Sequence, residues 1–424
     1  MGKFLLLLTN LAFPFAALGV LFGFLFSSRR RVLKHLTREL KERFALEAPA
    51  CLPQNAIWLH CASVGEVNSV KGLIKRLKEF YKKPILVTTS TAAGQATAAK
   101  NADIDAALLA PLDFYPLTRA FIRKAHPYRL FVVEREIWPN MLEAARQNGV
   151  PFALVNARIS EKSTRAYKLA RPLFTRLLGQ AAFAALQTPE DARRYAGLGV
   201  ENAKITVCGN VKYDTLNDTP SRVDEVKKLV SELGWENSPV LVCGSTHPLE
   251  EEILLAAAPQ LIKQGLKIIF APRHLERRLE IEQNLKNSRL NYAMMSQKAV
   301  PCDILCADVM GFLQSLYTCA ALTFVGGSIA PRGAHNLLEP AILGKAVLFG
   351  QSFFNTPDTA RALLTQGGGT LVNQTNFKST VLRLLEDEPL RRDMNAKARK
   401  TALSFKGATD KIMKVVENYE RQSA

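Results

Sequence analysis

Residues 57–81 read IWLHCASVGEVNSVKGLIKRLKEFY. Ile57–Cys61 is a short apolar run, small residues follow it, and Val67–Tyr81 spaces its apolar side chains for one face of a helix. A strand, a turn and an amphipathic helix in that order make the first step of a parallel α/β sheet. The pattern recurs outward from it. Ile85–Thr89, Leu130–Val133, Phe152–Val155, Phe183–Leu186 and Ile205–Cys208 read as strands, with helices over Pro116–Lys124 and Ser160–Leu178 between them. After residue 222 the style repeats, with strands expected at Val240–Cys243, Ile268–Ala271, Leu322–Val325 and Ala346–Phe349, and a charged helical tail from about residue 376.

Lys212–Arg222, which contains Asp214, Asn217, Asp218 and Pro220, is polar and turn-rich, as a linker should be. The expected architecture is therefore two Rossmann-like α/β domains, residues 51–211 and 223–424, joined by 212–222 and facing one another across a cleft. Ligands of such sheets bind at the carboxyl ends of the strands. No G-x-G-x-x-G or Walker A sequence follows any of these strands, so dinucleotide and ATP chemistry lack their usual marks.

A chain of 424 residues is long for a single core, and 48% hydrophobic with 22% charged residues describes a folded protein. The net charge of +18 asks for an anionic partner: nucleic acid, a membrane face or an acidic substrate. No zinc-finger spacing or RNA-binding signature favours the first. The seven cysteines, at 51, 61, 208, 243, 302, 306 and 319, have mostly apolar neighbours and read as free buried thiols.

Phe4–Phe26 is uncharged and, at 23 residues, long enough to cross a bilayer with some tilt. Arg29, Arg30, Arg31, Lys34, Arg38, Lys41 and Arg43 follow it, against Lys3 alone in front. That asymmetry leaves the bulk of the chain in the cytoplasm, and it reverses the order of a cleaved signal peptide. Residues 1–28 are read as a membrane anchor and 29–50 as a basic segment against anionic headgroups, each cation contributing about 1 kcal/mol. Asn10 and Pro14 interrupt the apolar run, so an interfacial helix or one packed on the protein remains open.

Several strand ends carry residues suited to chemistry. His60–Glu66 follows the first strand, with Gly65 permitting a tight turn and Glu66 in the first turn of the next helix, where the macrodipole favours its ionised form. Such a carboxylate can take a proton from a hydroxyl, although from these residues alone it is better explained as complementing the dipole. Glu134-Arg135-Glu136-Ile137-Trp138-Pro139-Asn140 closes another strand, suited equally to orienting an acceptor or to a plain ion pair. In the second half, Gly244-Ser245-Thr246-His247 precedes Glu250-Glu251-Glu252, and Arg273 and His274 follow the next strand. Gly326-Gly327-Ser328 reads as an anion-binding turn, and Glu339 opens a helix where it can accept ribose hydroxyls.

These strings, in this order, resemble the 3-deoxy-D-manno-octulosonic acid (Kdo) transferases of lipopolysaccharide synthesis. The similar stretches are HCASVGE (60–66), EREIWPN (134–140), NARIS (156–160), GNVKYD (209–214), GSTHPLEEE (244–252), PRHLE (272–276) and Val325–Pro340. The resemblance implies a GT-B glycosyltransferase that inverts configuration without a catalytic metal or other cofactor. It implies a CMP-Kdo donor, a lipid A precursor as acceptor, and residence at the cytoplasmic face of the bacterial inner membrane. Carried over residue by residue, Glu66 matches the general base, with Ser63, Gly65, Glu134 and Glu136 on the acceptor side. Lys212, Ser245, Thr246, Arg273, His274, Gly311, Gly327, Ser328, Asn336 and Glu339 fall in motifs lining the donor side. Two departures stand out: Ala334 replaces the second glycine of a usual G-G-H-N, and Phe312 follows Gly311 where an acidic residue is common. The alternatives are another GT-B nucleotide-sugar enzyme (a UDP-sugar transferase or epimerase), a non-catalytic membrane-associated binder and, last, a nucleic-acid binder.

Overall fold

The computed structural model describes residues 1–8, 10–11, 39, 43–44, 52–297 and 300–423. They fall into two compact units, Met1–Thr215 with Lys406–Ala424, and Leu216–Phe405. Each unit holds a seven-stranded sheet whose strand pairs are all parallel.

In the first unit the strands are β1 (Ile57–Cys61), β2 (Ile85–Thr89), β3 (Ala106–Leu109), β4 (Arg129–Val133), β5 (Phe152–Ala157), β6 (Ala184–Leu186) and β7 (Ile205–Val207). Their order is β3-β2-β1-β4-β5-β6-β7. β1, β2, β4 and β5 are buried on both faces, which is why they read as continuous apolar runs without alternation. In the second unit β8 (Val240–Thr246), β9 (Lys267–Pro272), β10 (Tyr292–Met294), β11 (Ile304–Cys306), β12 (Leu322–Val325), β13 (Val347–Phe349) and β14 (Gly369–Leu371) run in the order β10-β11-β9-β8-β12-β13-β14. The order reverses between β1 and β4 in one sheet and between β8 and β12 in the other. Those two points are where open α/β sheets leave a crevice at their carboxyl edges.

The expected strands are present. β3, β10, β11 and β14, each three or four residues long, are additional to them. Two expected helices are each divided: Val64–Ser69 and Lys71–Tyr81 meet at Val70, and Glu161–Leu169 and Arg171–Leu178 meet at Ala170, just before Pro172.

The end of the chain requires a correction, because residues 406–424 belong with the first unit and not with 223–405. The helix Ala408–Ser423 buries Ala408, Ile412, Met413 and Val416 in a core that includes Leu59, Phe131 and Val155. The Asp214 carboxylate caps it, accepting from the N–H groups of Gly407 (2.7 Å), Ala408 (3.1 Å) and Thr409 (2.6 Å). Farther along, Glu420 pairs with buried Arg129 at 2.7 Å. A charged, amphipathic tail does not reveal in sequence which sheet will cover its apolar stripe.

Of the expected anchor 1–28, residue 9 and residues 12–28 lie outside the described residues, as does most of the basic segment 29–50. Residues 2–8 and 10–11 are helical. Leu6 enters the core of the first unit, and Asn10 donates to the Asn140 Oδ1 (2.6 Å) while accepting the Tyr115 N–H (2.8 Å). Phe4, Leu7, Leu8 and Leu11 are exposed. Among the described residues no helix is long and apolar enough to cross a membrane.

Candidate functional site

In the first unit the motifs at 60–66 and 134–140 converge on the β1/β4 reversal. Ser63 caps the helix Val64–Ser69, its hydroxyl facing the Glu66 N–H at 3.5 Å. The Glu66 carboxylate turns back to accept the Ala62 N–H at the end of β1. This is a capping-box exchange displaced by one residue. Gly65 is exposed, and a Cβ there would meet only the Ser63 Oγ, at 3.8 Å.

Glu66 is 8% exposed. Its pKa is pushed up to about 7, chiefly by burial and further by the negative charges of Glu134 and Glu136, with the Ala62 N–H and Arg135 opposing. A carboxylate that exchanges its proton near neutrality is suited to general-base work.

Its two acidic neighbours are held differently. Glu134 stands in a left-handed conformation (φ 55°) directly after β4, and its carboxylate accepts from the Arg158 Nε at 2.9 Å. Glu136 accepts the Trp138 indole N–H at 2.7 Å and lies 3.8 Å from the His60 Nε2. His60, with Trp138, keeps the Glu136 carboxyl below the usual carboxylate range against the effect of burial. His60 itself is fully buried, with its Nδ1 3.0 Å from the Thr88 hydroxyl on β2. Asp113 fastens the start of the helix Pro139–Gln147. It accepts the N–H groups of Asn140 (3.2 Å) and Met141 (2.8 Å), and burial raises its pKa to about 6 despite them. Lys212 is exposed in the short turn Val211–Tyr213 of this same unit, with its ammonium 5.2 Å from the Tyr213 ring centroid. Its grouping with donor-side residues therefore rests on resemblance alone.

In the second unit β8, β9 and β12 bring a basic edge together. Ser245 is left-handed (φ 54°) and forms a bulge where the β8–β9 register shifts between Gly244 and Thr246. Thr246 is buried and donates to Glu251 at 3.2 Å, and Glu251 is itself clamped by both terminal nitrogens of Arg277. Beyond the bulge, the imidazoles of His247 and His335 stack 8° from parallel with their Nε2 atoms 3.1 Å apart. His274 meets His247 edge-on at 5.5 Å between centroids. Burial first, then the neighbouring cations and imidazoles, lowers His247 and brings His335 down to about 4. Both rings are thus neutral at pH 7, one donating to the other. Arg273 and Arg332 are exposed beside them. Asn336 and Glu339 share a hydrogen bond of 3.1 Å at the start of the helix Leu338–Ile342.

The glycine turn after β12 differs from its reading as an anion site. Its N–H groups are already occupied. Glu250 is 2% exposed and accepts from Gly327, Ser328 and Ile329, each at 2.9 Å, and from Ala330 at 3.3 Å. Its Oε2 also accepts the His247 N–H at 3.1 Å. Ser328 is fully buried and donates its hydroxyl to the Val325 carbonyl. Gly326 has no room for a Cβ, which would lie 2.3 Å from the Ser245 carbonyl oxygen, and Gly327 is left-handed (φ 73°). Gly327 and Ser328 therefore shape the site from beneath. Gly311 is left-handed (φ 81°) in the turn before Leu313–Leu316, and Phe312 lies under the Arg222 guanidinium at 4.3 Å, a cation–π contact no acidic residue would make.

Sequence reasoning quoted Glu250, His247, His335 and His60 within its motifs without giving them a role of their own, and it passed over Asp113. Glu250 had a signal, because it follows His247 by three residues, the spacing of a capping box. Asp113 and His60 had none, since what marks them is burial beside charges from distant segments. Among the described residues no group of histidine, cysteine and carboxylate side chains is arranged to hold a metal ion.

The family model described as 3-Deoxy-D-manno-octulosonic-acid transferase (kdotransferase) matches residues 38–215. The 3-deoxy-D-manno-octulosonic acid transferase of Bordetella pertussis is 32% identical over 396 residues, covering 89% of this chain and 90% of the relative. That of Chlamydophila psittaci is 31% identical over 368 residues, 84% of each. Among solved structures, the UDP-GlcNAc 2-epimerase from Neisseria meningitidis bound to UDP-GlcNAc aligns with a TM-score of 0.59 at 13% identity, over 86% of this chain and 100% of its own. At that identity it speaks for the fold, two Rossmann-like units of the GT-B kind.

Proposed function

The chain belongs to the 3-deoxy-D-manno-octulosonic acid transferase family, and from that premise we propose that it moves Kdo from CMP-Kdo to a hydroxyl of a lipid A precursor with Glu66 as the general base. The observation that carries the assignment of the base is the Glu66 carboxyl: it sits at the β1/β4 reversal and is poised near neutrality by burial and two flanking carboxylates.

In this reading the bond from the Kdo anomeric carbon to the phosphate oxygen breaks first, and its electron pair leaves with CMP. The acceptor oxygen attacks the opposite face while Glu66 takes its proton, so configuration inverts. Glu134 is tied to Arg158 and Glu136 to Trp138, which leaves both side chains able to orient acceptor hydroxyls beside the base. On the donor side Arg273, Arg332 and the imidazoles of the β8/β12 edge offer positive charge and N–H groups to the CMP phosphate and to the carboxylate of Kdo. In the same reading Asn336 and Glu339 receive the ribose, a role supported by their position at the start of the helix Leu338–Ile342.

The net charge of +18 and the apolar run 4–26 followed by basic residues support work at the cytoplasmic face of the inner membrane, where an acidic glycolipid is presented. Exposed Phe4, Leu7, Leu8 and Leu11 support the same placement.

The test is transfer from CMP-Kdo, generated in the assay, to a lipid A precursor in detergent. Wild type should form product, and Glu66→Ala should form almost none while still binding CMP. Absence of product from folded wild type would sink the reading. Binding of UDP in preference to CMP would turn it toward a UDP-sugar enzyme.

A further inference from the structure

Glu250 is a buried carboxylate of the second unit whose hydrogen bonds are all spent on the backbone, and nothing in the proposed reaction uses it. Its two oxygens accept five backbone N–H groups drawn from two turns, His247 after β8 and residues 327–330 after β12. A row of N–H groups of this kind would otherwise attract an anion from solution. Here the protein supplies the anion internally, at the third position of the helix Pro248–Lys263, where the macrodipole adds to its hold.

The consequence lies one layer out. His247 leads from the first of these turns, and the second runs on to His335 through the bond from the His335 N–H to the Gly326 carbonyl (3.2 Å). With both turns fastened to one carboxylate, the two Nε2 atoms stand 3.1 Å apart and the rings lie parallel. Gly326 allows the approach, since any side chain there would strike Ser245 or Glu250.

We propose that Glu250 is a positioning residue for the donor: its buried carboxylate fills the N–H nest of residues 327–330, ties that turn to His247, and thereby sets the His247–His335 pair that meets the anionic part of CMP-Kdo. The inference rests on the donor assignment made above. It also excludes a phosphate of the nucleotide from the glycine turn, which leaves the rim cations to receive it.

Glu250→Gln tests it. The amide places an NH2 group against N–H donors on one side of the nest, with almost no change in volume. Hydrogen exchange of the 327–330 amides should accelerate, the affinity for CMP should fall about tenfold or more, and the KM for the lipid acceptor should stay within about twofold. A second variant, His335→Gln, leaves the nest intact and breaks the imidazole contact at the rim. It should weaken CMP binding with the 327–330 amides still protected, so the proposal stays testable even where Glu250→Gln folds poorly. CMP affinity unchanged in either folded variant overturns the positioning role while leaving the transferase reading in place. Wild type that binds no CMP overturns both.

Discussion

Glu66 and Glu250 occupy the same place in two sheets. Each is the third residue of the helix that follows the first strand of its unit, and each lies at the point where strand order reverses. The two differ in what surrounds the carboxylate. Glu250 takes five N–H groups and lies beneath the surface of its site. Glu66 takes one from Ala62, faces two other carboxylates, and is pushed up to about 7. A carboxylate saturated by donors is a structural part, because removing its charge weakens all five bonds and reverses the polarity of one side of the nest. A carboxylate short of donors keeps an affinity for a proton, and that affinity is what a base needs. Sequence position alone does not separate the roles.

The sharpest way to break this comparison is kinetic. Glu66→Gln keeps shape and the Ala62 contact but cannot take a proton, and it should lose about 10²–10⁴ in kcat, the usual range for a general base. The wild-type rate should climb about tenfold per pH unit below 7 and level off above it, since the base acts ionised. The variant's residual rate should be flat across pH 5.5–8, and a surviving acid limb in Glu66→Gln would move the base to another residue. Next in size is stability. Glu250→Gln sets an amide against buried donors and should destabilise the second unit by about 3 kcal/mol. Fluorotryptophan NMR resolves the units, because Trp235 lies in the second while Trp58 and Trp138 lie in the first. In denaturant the Trp235 signal should shift its midpoint, with Trp58 unmoved.

The contrast also shows what the chain discloses before folding. The β–α alternation placed the buried strands of both sheets, because strands covered on two faces are apolar throughout. The site strings were legible as strand-end turns by their glycines, small residues and carboxylates. Three features were not. The short strands Ala106–Leu109, Tyr292–Met294, Ile304–Cys306 and Gly369–Leu371 have too few residues to show a period. The docking of Ala408–Ser423 depends on Arg129 and Asp214, the nearer of which lies 193 residues from the Gly407 N–H it accepts. The glycine turn at 326–328 carries the composition of an anion site, yet its anion comes from Glu250, 77 residues upstream of Gly327. Local chemistry announces a nest of N–H groups and is silent about which anion fills it.

The smallest effect expected is also the one that separates the two carboxylates most directly, because it reverses the sign of substitution. An ordinary Glu titrates near 4.5, and Glu66 in the folded chain titrates near 7. Below pH 4.5 it is protonated folded and unfolded, so its ionisation has no influence on folding. Between 4.5 and 7 the folded chain holds a proton that the unfolded chain has released, and stability falls as pH rises. Above 7 the charge is carried in both states, and the whole cost of burying it is felt. The interval of 2.5 pH units sets a ceiling of about 3 kcal/mol, which partial solvation of the carboxylate reduces to about 1–2 kcal/mol. Glu66→Gln never carries that charge. Its Trp58 signal should therefore show a first unit more stable than wild type at pH 8, with the gain shrinking to nothing by pH 4. Glu250→Gln should be less stable than wild type at pH 8. Opposite roles for one residue type at one topological position predict opposite signs of substitution at pH 8, and a Glu66→Gln curve parallel to wild type would mean that burial leaves no mark on that carboxyl.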